Sequence, residues 1–274
     1  MVKVIVTGVG GRMGKRIFSL AAETEGVEIV GAVEQRDHPL VGTDVGAGLP
    51  SGKIRLIVEG DLEACIDKGD VVIDFTNREA SVRHLEIVAA RGKGIVIGST
   101  GLSTVETDRI KELSKSTKCV LSPNMSVGVN VMFKVLGWVA EILGDEYDVE
   151  IVEAHHRLKK DAPSGTAMKM ARIIAESLGR DLEEHGVYLR KGLIGERTRK
   201  EIGIQTVRAG DIAGDHMVMF GAFGERLEFI HRAHNRDNFA RGAIRAARWL
   251  VDQENGLYDM EDVLGLKTWG LSQG

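Results

Sequence analysis

The sequence predicts an α/β protein in which a doubly wound parallel sheet is followed by a second, α+β domain. Short β-branched runs alternate with helical patterns from residue 2 to about residue 121, which is typical of a parallel sheet with helices on both faces. Glycine is frequent, at 34 of 274 residues, as tight strand-to-helix turns require. Beyond residue 201, strand-like runs at 202–207, 216–220 and 227–231 follow one another without a long helix, so we expect these strands to be antiparallel.

Composition argues against several classes of protein. The net charge is -4 and no segment concentrates Lys and Arg without acids, so a nucleic-acid partner is not expected. Cys65 and Cys119 lie far apart, which indicates a reducing compartment and argues against a Cys-based zinc site. The apolar stretch 127–143 contains Lys134 and Glu141, so we expect neither a membrane span nor a membrane partner. The N-terminal apolar run does not resemble a signal peptide, and we expect a cytoplasmic protein.

The first strand, 2–7, ends in a glycine-rich turn. The turn reads Gly8-Val9-Gly10-Gly11-Arg12-Met13-Gly14 and is followed by a helical pattern at 15–23. The strand, the glycine turn and the helix come in the order that a Rossmann-type dinucleotide site requires. Gly8 would allow the tight turn, Gly10 and Gly11 would let a pyrophosphate reach backbone N–H groups, and Gly14 would let helix and strand pack closely.

The second strand, 27–33, ends in Glu34. This acid lies about 20 residues past the turn, where a carboxylate accepts hydrogen bonds from an adenine ribose. Taken alone, Glu34 could equally be an ordinary exposed acid after a strand. Arg36 follows and could meet a 2′-phosphate, so the pair leaves the choice between NAD and NADP open. We favour NADH with tolerance of NADPH.

Further strands are predicted at 54–58, 70–75, 94–97 and 119–121, and helices at 79–91 and 103–115, the latter opened by a capping box of Ser103 and Glu106. Ligands of such sheets bind where the parallel strands end. The ends of the later strands are Phe75-Thr76, Gly98 to Thr100 and Ser122 to Met125, although turn chemistry alone would explain each of them.

The pattern changes after Met125, and we divide the chain accordingly. Residues 1–125 form the predicted dinucleotide-binding domain. Residues 126–236 form the α+β domain, which begins with a helix at 127–143. Residues 237–274, with a helix at 238–251, are expected to return to the first domain.

A densely polar stretch follows the predicted strand 148–154. It contains His155, His156 and Lys159, which are potential proton donors near neutral pH. It then passes through Pro163-Ser164-Gly165-Thr166 into a helical pattern at 168–178. Pro163 fits the first helical turn, and free N–H groups at Ser164, Gly165 and Thr166 would suit a carboxylate or phosphate. Both histidines can face one site only if the strand ends or kinks there.

The polar stretch also raises the question of a metal site. A metal site is not predicted, because adjacent histidines lack the spacing of helical zinc ligands and Lys159 would compete with the ion. His216, His231 and His234 are dispersed and interpreted as structural or surface residues, although His231 and Arg236 could line a site. Two competing functions are a different dehydrogenase of an amino or imino acid, and a nucleotide-binding sensor without turnover.

The run from Glu153 to Ala167 resembles the signature of the 4-hydroxy-tetrahydrodipicolinate reductase (dihydrodipicolinate reductase) family of lysine and diaminopimelate synthesis. Five further segments fit that family in order: Gly-Gly-Arg-Met-Gly, Ile-Asp-Phe-Thr, Gly-Ser-Thr-Gly, Asn-Met-Ser-Val-Gly-Val-Asn and Arg-Ala-Gly-Asp-Ile-Ala-Gly-Asp-His. The likeness covers nearly the whole chain. It departs from the family at Gln35, where some members carry Arg, at Asn77 and at Met125, all on the cofactor side.

The resemblance implies a function for each matching residue. The reaction would be reduction of 4-hydroxy-tetrahydrodipicolinate to tetrahydrodipicolinate by hydride transfer from NAD(P)H. His155 would be a proton donor or acceptor and Lys159 a proton donor, while His156, Gly165 and Thr166 would bind the dicarboxylate. Ser164 is added to the dicarboxylate site because it lies at the same helix start. The second domain would bind substrate and build a homotetramer. The residues that would hold the dinucleotide are Gly8, Val9, Gly10, Gly11, Arg12, Met13, Glu34, Gly98, Ser99, Thr100, Ser122, Pro123, Asn124 and Met125, to which Arg36 is added from its position after Glu34.

Overall fold

The computed structural model describes residues 1–48 and 55–268, and the chain divides into two compact units. The first unit is Met1–Val127 with Arg236–Gly274, and the second is Gly128–Asn235. In chain order the strands and helices are β1 Val2–Thr7, α1 Arg12–Glu23, β2 Val27–Val33, β3 Val58–Glu59, β4 Val71–Asp74, α2 Arg78–Ala90, β5 Gly94–Ile97, α3 Thr104–Leu113, β6 Lys118–Leu121, α4 Val127–Leu143, β7 Asp148–His155, α5 Gly165–Ser177, α6 Leu182–His185, β8 Gly186–Val187, β9 Ile202–Arg208, β10 Gly214–Ala222, β11 Glu225–Ala233, α7 Asp237–Leu250, β12 Gly256–Tyr258 and α8 Met260–Val263.

The first unit is built on a seven-stranded sheet in the order β12-β6-β5-β4-β1-β2-β3, in which the paired strands are parallel. This confirms the predicted doubly wound parallel sheet. The central strands β4 and β5 are buried along their whole length, as expected of strands covered by helices on both faces. The strand order reverses beside β1, so the loop after β1 lies at the switch point where such sheets bind ligands.

Helix α7 packs against α1 and against the middle of this sheet. It buries an alanine-rich face, and Gly242 lets its backbone approach the loop after β6, since a Cβ there would lie 1.8 Å from the Met125 carbonyl oxygen. At the rim of the same contact Arg16 of α1 forms a two-bond ion pair with Asp237. The C-terminal segment is thus part of the core of the first unit.

Several predicted bounds differ from the structure in this unit. Helix α1 begins three residues earlier than predicted, because Gly11 already serves as its N-cap. Of the predicted strand 54–58, only Val58 belongs to a strand, β3, and Ile54 lies outside the described residues. The capping box of Ser103 and Glu106 is present at the start of α3. Strand β12, which was not predicted, extends the sheet beside β6.

The second unit contains a five-stranded sheet in the order β11-β10-β7-β9-β8. Strand β10 is antiparallel to both β11 and β7, as predicted for this region. The strands β9, β10 and β11 thus alternate in direction, as predicted, but β9 pairs with β7, to which it runs parallel, and not with β10. The chain between β7 and β9 carries α5, and a crossover of this kind returns the chain in the same direction.

Helices α4 and α5 form a second core with this sheet. Sheet residues such as Ile151, Val218 and Phe220 pack with Phe133 and Leu136 of α4, and α5 contributes its own apolar face. By length and composition the segment Val127–Glu146 could cross a membrane, a test that a core helix of a folded protein also passes. Its buried apolar residues, among them Phe133 and Leu136, belong to the second core.

Candidate active site

The glycine loop after β1 folds tightly onto the start of α1. Gly8 has φ 67°, a left-handed conformation that glycine adopts without steric cost, and its carbonyl oxygen accepts from the Gly11 N–H at 2.9 Å. A Cβ on Gly14 would lie 1.9 Å from the same oxygen. The loop and the first turn of the helix therefore share space that no side chain can occupy.

Glu34 lies against this loop, as the sequence predicted for the end of β2. Its Oε2 accepts from the Gly10 N–H at 2.7 Å, and its Oε1 accepts from the Gln35 N–H at 2.9 Å. The ring of His38 also lies close, since a Cβ on Gly10 would come within 2.6 Å of His38 Cε1. The N–H groups of Gly10 and Gly11 thus both have acceptors within the protein, Glu34 and Gly8.

A cavity of about 530 Å³ opens beside this loop, at the ends of β1, β2 and β4. Arg36, predicted as a cofactor residue, lines it and pairs with Asp61 at 2.8 Å, and Arg83 lies 3.6 Å from the same carboxylate. The cavity lining contains four carboxylates, those of Glu34, Asp37, Asp61 and Glu79, against the two guanidiniums. The guanidiniums of Arg36 and Arg83 therefore both lie beside a carboxylate, that of Asp61.

Asp74, the last residue of β4, is a buried acid with several hydrogen-bond donors around it. Asp74 accepts from the Thr76 N–H and hydroxyl, from Ser81 and, at 2.5 Å, from His84 Nδ1. Burial alone would raise the pKa of Asp74, but these hydrogen bonds outweigh burial and hold that pKa below its usual value. Ser81 also contacts Ser99 at 2.7 Å, so one predicted cofactor residue is fixed by this network.

The two remaining cofactor segments lie at the ends of β5 and β6. A Cβ on Gly98 would come within 2.2 Å of the Phe75 ring, so only glycine fits beneath that ring. Ser122 is buried and donates to the Asn124 carbonyl oxygen at 2.9 Å, and Met125 is buried against α7. Since the strands are parallel, the predicted cofactor residues of the first unit all lie at one edge of its sheet.

In the second unit, β7 ends at His155, and His156 lies beyond the strand. The strand therefore ends where the sequence argument required. Helix α5 begins at Gly165 with Ser164 as N-cap, whose hydroxyl oxygen accepts from the Ala167 N–H. The prediction that Pro163 lies in the first helical turn was wrong, because Pro163 precedes the cap. The prediction of a free Ser164 N–H was also wrong, since this group donates to Glu153 at 3.0 Å.

Glu153 is the buried centre of the polar stretch. Its side chain is 0% exposed and accepts from His155 Nδ1 at 2.6 Å and from both Nη atoms of Arg208 at 2.8 and 2.9 Å. Burial alone would raise the pKa of Glu153, but the hydrogen bonds from His155 and Arg208 lower it from 4.5 to about 2. The Arg208 guanidinium in turn has a raised pKa because of Glu153.

His216 joins this cluster from β10. Its ring lies edge-on to the His155 ring at 5.2 Å, and its Nε2 is 3.1 Å from the Ser164 hydroxyl. Burial lowers the pKa of His216 to about 3, helped by the neighbouring His155, so this imidazole is neutral at ordinary pH. Gly214 leaves room for the cluster, because a Cβ there would come within 3.1 Å of His155 Nε2.

Lys159 lies in the loop between β7 and α5. Its backbone N–H donates to the His156 carbonyl oxygen at 3.0 Å, and its ammonium donates to Asp161 at 2.9 Å. Burial alone would raise the pKa of Asp161, but the Lys159 hydrogen bond, a backbone hydrogen bond and the charges of Lys159 and Arg208 together lower that pKa. Arg208 also donates to the Asp161 carbonyl oxygen, which ties this loop to Glu153.

Sequence reasoning missed three members of the cluster: Glu153, Arg208 and His216. All three belong to motifs that were noticed, since Glu153 opens the polar stretch and the other two begin and end the segment 208–216. An acid at an inward position of a buried strand is a signal that its charge must be compensated. The partner could not be identified from the sequence, because Arg208 is 55 residues away.

Two family models together match nearly the whole chain. A family described as dihydrodipicolinate reductase, N-terminus, matches residues 2–125, and one described as dihydrodipicolinate reductase, C-terminus, matches residues 128–264. This chain belongs to the dihydrodipicolinate reductase family. It is 64% identical over 98% of its length to the whole 4-hydroxy-tetrahydrodipicolinate reductase of Syntrophus aciditrophicus, and 55% identical over 97% to the whole enzyme of that name from Syntrophobacter fumaroxidans.

Solved structures support the same family. The chain is similar to a dipicolinate-bound dihydrodipicolinate reductase from Paenisporosarcina, with a TM-score of 0.74, 25% identity, and coverage of 94% of this chain and 97% of that one. It also shares its fold with an amine dehydrogenase from Mycobacterium smegmatis, with a TM-score of 0.57, 15% identity and 95% coverage of each chain. The chain is therefore a nicotinamide-dependent reductase with a Rossmann-type first unit.

Proposed function

We propose that this chain reduces 4-hydroxy-tetrahydrodipicolinate to tetrahydrodipicolinate in the diaminopimelate route to lysine, with His155 and Lys159 transferring protons. The observation that carries the residue assignment is the cluster at the end of β7, where an imidazole, an ammonium and a helix N-terminus lie on neighbouring segments. The dipicolinate named for the Paenisporosarcina structure is a ring dicarboxylate, which supports a substrate of this shape and charge.

One substrate carboxylate would bind at the start of α5. The N–H groups of Gly165 and Thr166 belong to the first turn, where the helix dipole favours negative charge. A Cβ on Gly165 would meet no atom within 4 Å, so the backbone can be approached closely. Ser164 would shape this turn through its cap, and His156 would offset the remaining negative charge.

His155 and Lys159 would supply the proton that the reduced ring needs. A positioned acid of this kind contributes about 10²–10⁴-fold to the rate. Lys159 is held by Asp161, whose side chain is 62% exposed, and an ion pair this exposed is weak enough to open. An arriving dicarboxylate could therefore take over the ammonium from Asp161.

The cofactor would be NADH in preference to NADPH, held by the first unit. The pyrophosphate would lie against the glycine loop, which carries no side chain at Gly8, Gly10 or Gly11. A bound dihydronicotinamide would supply the hydride. The four carboxylates of the cavity, against two guanidiniums that both contact Asp61, would repel a 2′-phosphate and favour a free ribose hydroxyl.

The segments that would bind this dinucleotide are those predicted from the sequence. They share a position at the carboxyl edge of the first sheet and are Gly8, Val9, Gly10, Gly11, Arg12, Met13, Glu34, Arg36, Gly98, Ser99, Thr100, Ser122, Pro123, Asn124 and Met125.

We also expect a homotetramer in the cytoplasm, without nucleic-acid or membrane partners. Exposed apolar side chains on the second sheet support an assembly role for it, among them Val207 on β9 and Leu227 and Ile230 on β11. Size-exclusion chromatography with light scattering tests this expectation, which fails if the purified protein has the mass of one chain.

The reaction is tested by NADH oxidation coupled to a synthase that makes the substrate from pyruvate and aspartate semialdehyde. His155→Gln and Lys159→Ala should each lower kcat by about 10²-fold or more, with unchanged NADH affinity. Lys160→Ala, at an exposed neighbouring lysine, is the matched control and should keep its rate. Full activity in His155→Gln or Lys159→Ala would remove that residue from the mechanism, and no NADH oxidation by wild type would refute the reaction.

A further inference from the structure

The Glu153 carboxylate is buried and is approached by donors from three parts of the chain. His155 comes from the end of its own strand, Ser164 from the cap of α5 and Arg208 from the end of β9. Neither substrate binding nor proton transfer, as assigned above, uses Glu153. The geometry nevertheless connects it directly to groups that serve both.

Each carboxylate oxygen has a distinct set of donors. Oε2 accepts from His155 Nδ1 at 2.6 Å and from Arg208 Nη1 at 2.8 Å. Oε1 accepts from the Ser164 N–H at 3.0 Å, from Arg208 Nη2 at 2.9 Å and from the Thr206 hydroxyl at 3.3 Å. The paired bonds from one planar guanidinium fix the plane of the carboxylate. The direction in which Oε2 meets the imidazole is thereby fixed as well.

This arrangement selects one tautomer of His155. The guanidinium of Arg208 keeps Glu153 ionised, and an ionised carboxylate only accepts hydrogen bonds. The Nδ1 atom of His155 must therefore carry a proton, which leaves Nε2 as the nitrogen that can exchange one with a ligand. A side chain on the adjacent Gly214 would crowd Nε2, at 3.1 Å from its Cβ, so glycine keeps this nitrogen accessible.

We propose that Glu153 is a positioning residue that holds His155 with Nε2 available for proton transfer and ties this imidazole to the substrate-binding start of α5 through Ser164. The proposal rests on the proposed role of His155. The proton donor His155 and the carboxylate-binding start of α5 would then keep a fixed distance from each other. A misplacement of about 1 Å between such groups can lower the rate about 10²-fold.

Nitrogen NMR of the wild-type protein tests the tautomer directly. Histidine is labelled with ¹⁵N, and the His155 signals are identified by their loss in His155→Gln. At a pH where the ring is neutral we expect a protonated Nδ1 and a bare Nε2. A bare Nδ1 with a protonated Nε2 would overturn the proposal, whether or not His155 proves to be catalytic.

Glu153→Gln tests the consequence for catalysis. It should lower kcat by about 10²-fold or more. Its dissociation constant for NADH, measured by calorimetry, should stay within about twofold of wild type, because the glycine loop belongs to the other unit. Glu153→Asp keeps a carboxylate and should recover part of the rate.

Glu150→Gln is the matched control. Glu150 lies on the same strand and forms a similar two-bond pair with Arg190, at 2.7 and 2.8 Å, but contacts no histidine in the described part of the chain. It should keep kcat within about twofold of wild type. A fully active, folded Glu153→Gln, or an equal loss of kcat in Glu150→Gln, would refute a positioning role. If Glu153→Gln does not fold, the wild-type tautomer and Glu153→Asp decide the question.

Discussion

Replacing Gly14 by alanine tests the packing of the glycine loop against α1. The added Cβ would lie 1.9 Å from the Gly8 carbonyl oxygen, whereas ordinary contacts begin near 3.4 Å, so loop and helix must separate by 1.5 Å. Overpacking of this kind costs about 1–3 kcal/mol, and the rigid backbone here favours the upper end. The same shift would disturb the hydrogen bond from the Gly11 N–H to the Gly8 carbonyl oxygen.

We therefore expect Gly14→Ala to lower the melting temperature by about 5–10 °C, at about 2–4 °C per kcal/mol for a unit of this size. NADH affinity should also fall at least about tenfold, because a tenfold loss corresponds to only about 1.4 kcal/mol of binding free energy. Calorimetry measures both quantities. Gly221→Ala, whose Cβ would meet no atom within 4 Å, is the control and should change neither. Wild-type melting together with wild-type NADH affinity in Gly14→Ala would refute the packing argument.

Three further outcomes follow from the described contacts. Glu34→Ala should weaken NADH binding about tenfold and NADPH binding less, as measured by calorimetry, and equal losses would contradict a ribose contact. Cys65 and Cys119 are buried, with pKa values raised by burial to about 11 and about 12, so Ellman's reagent should label neither before denaturant is added. Lowering of the Glu153 pKa from 4.5 to about 2 contributes about 3 kcal/mol of stability at neutral pH, which is lost as pH falls from 4.5 towards 2. The urea stability of wild type should therefore approach that of Glu153→Gln as pH falls through this range, and a constant gap would contradict it.

The elements that sequence predicted well are those with local signals. The run 94–97 is buried on both faces and reads as a strand by itself, and the capping box at Ser103 and Glu106 marks the start of α3 without reference to the rest of the fold. Glu34 could be placed at the glycine loop because both follow adjacent parallel strands. These features depend on neighbouring residues or on one topological rule.

The features that sequence could not give depend on distant partners. The pairing of β9 with β7, and not with β10, depends on the crossover through α5, which no pattern within β9 records. Pro163 was predicted in the first turn of α5 because proline suits that position, whereas the Ser164 cap begins the helix only at Gly165. The Ser164 N–H was expected to be free because its acceptor, Glu153, had not been recognised as buried.

The return of the chain to its first unit sets an order for synthesis. Helix α7 fills the core beside α1, and β12 completes the sheet beside β6, yet both are translated after the whole of the second unit. A nascent chain that stops before residue 236 leaves the apolar face of α1 and the edge of β6 uncovered. The second unit is contiguous in the sequence, so it can fold on the ribosome before the last helix of the first unit has been translated.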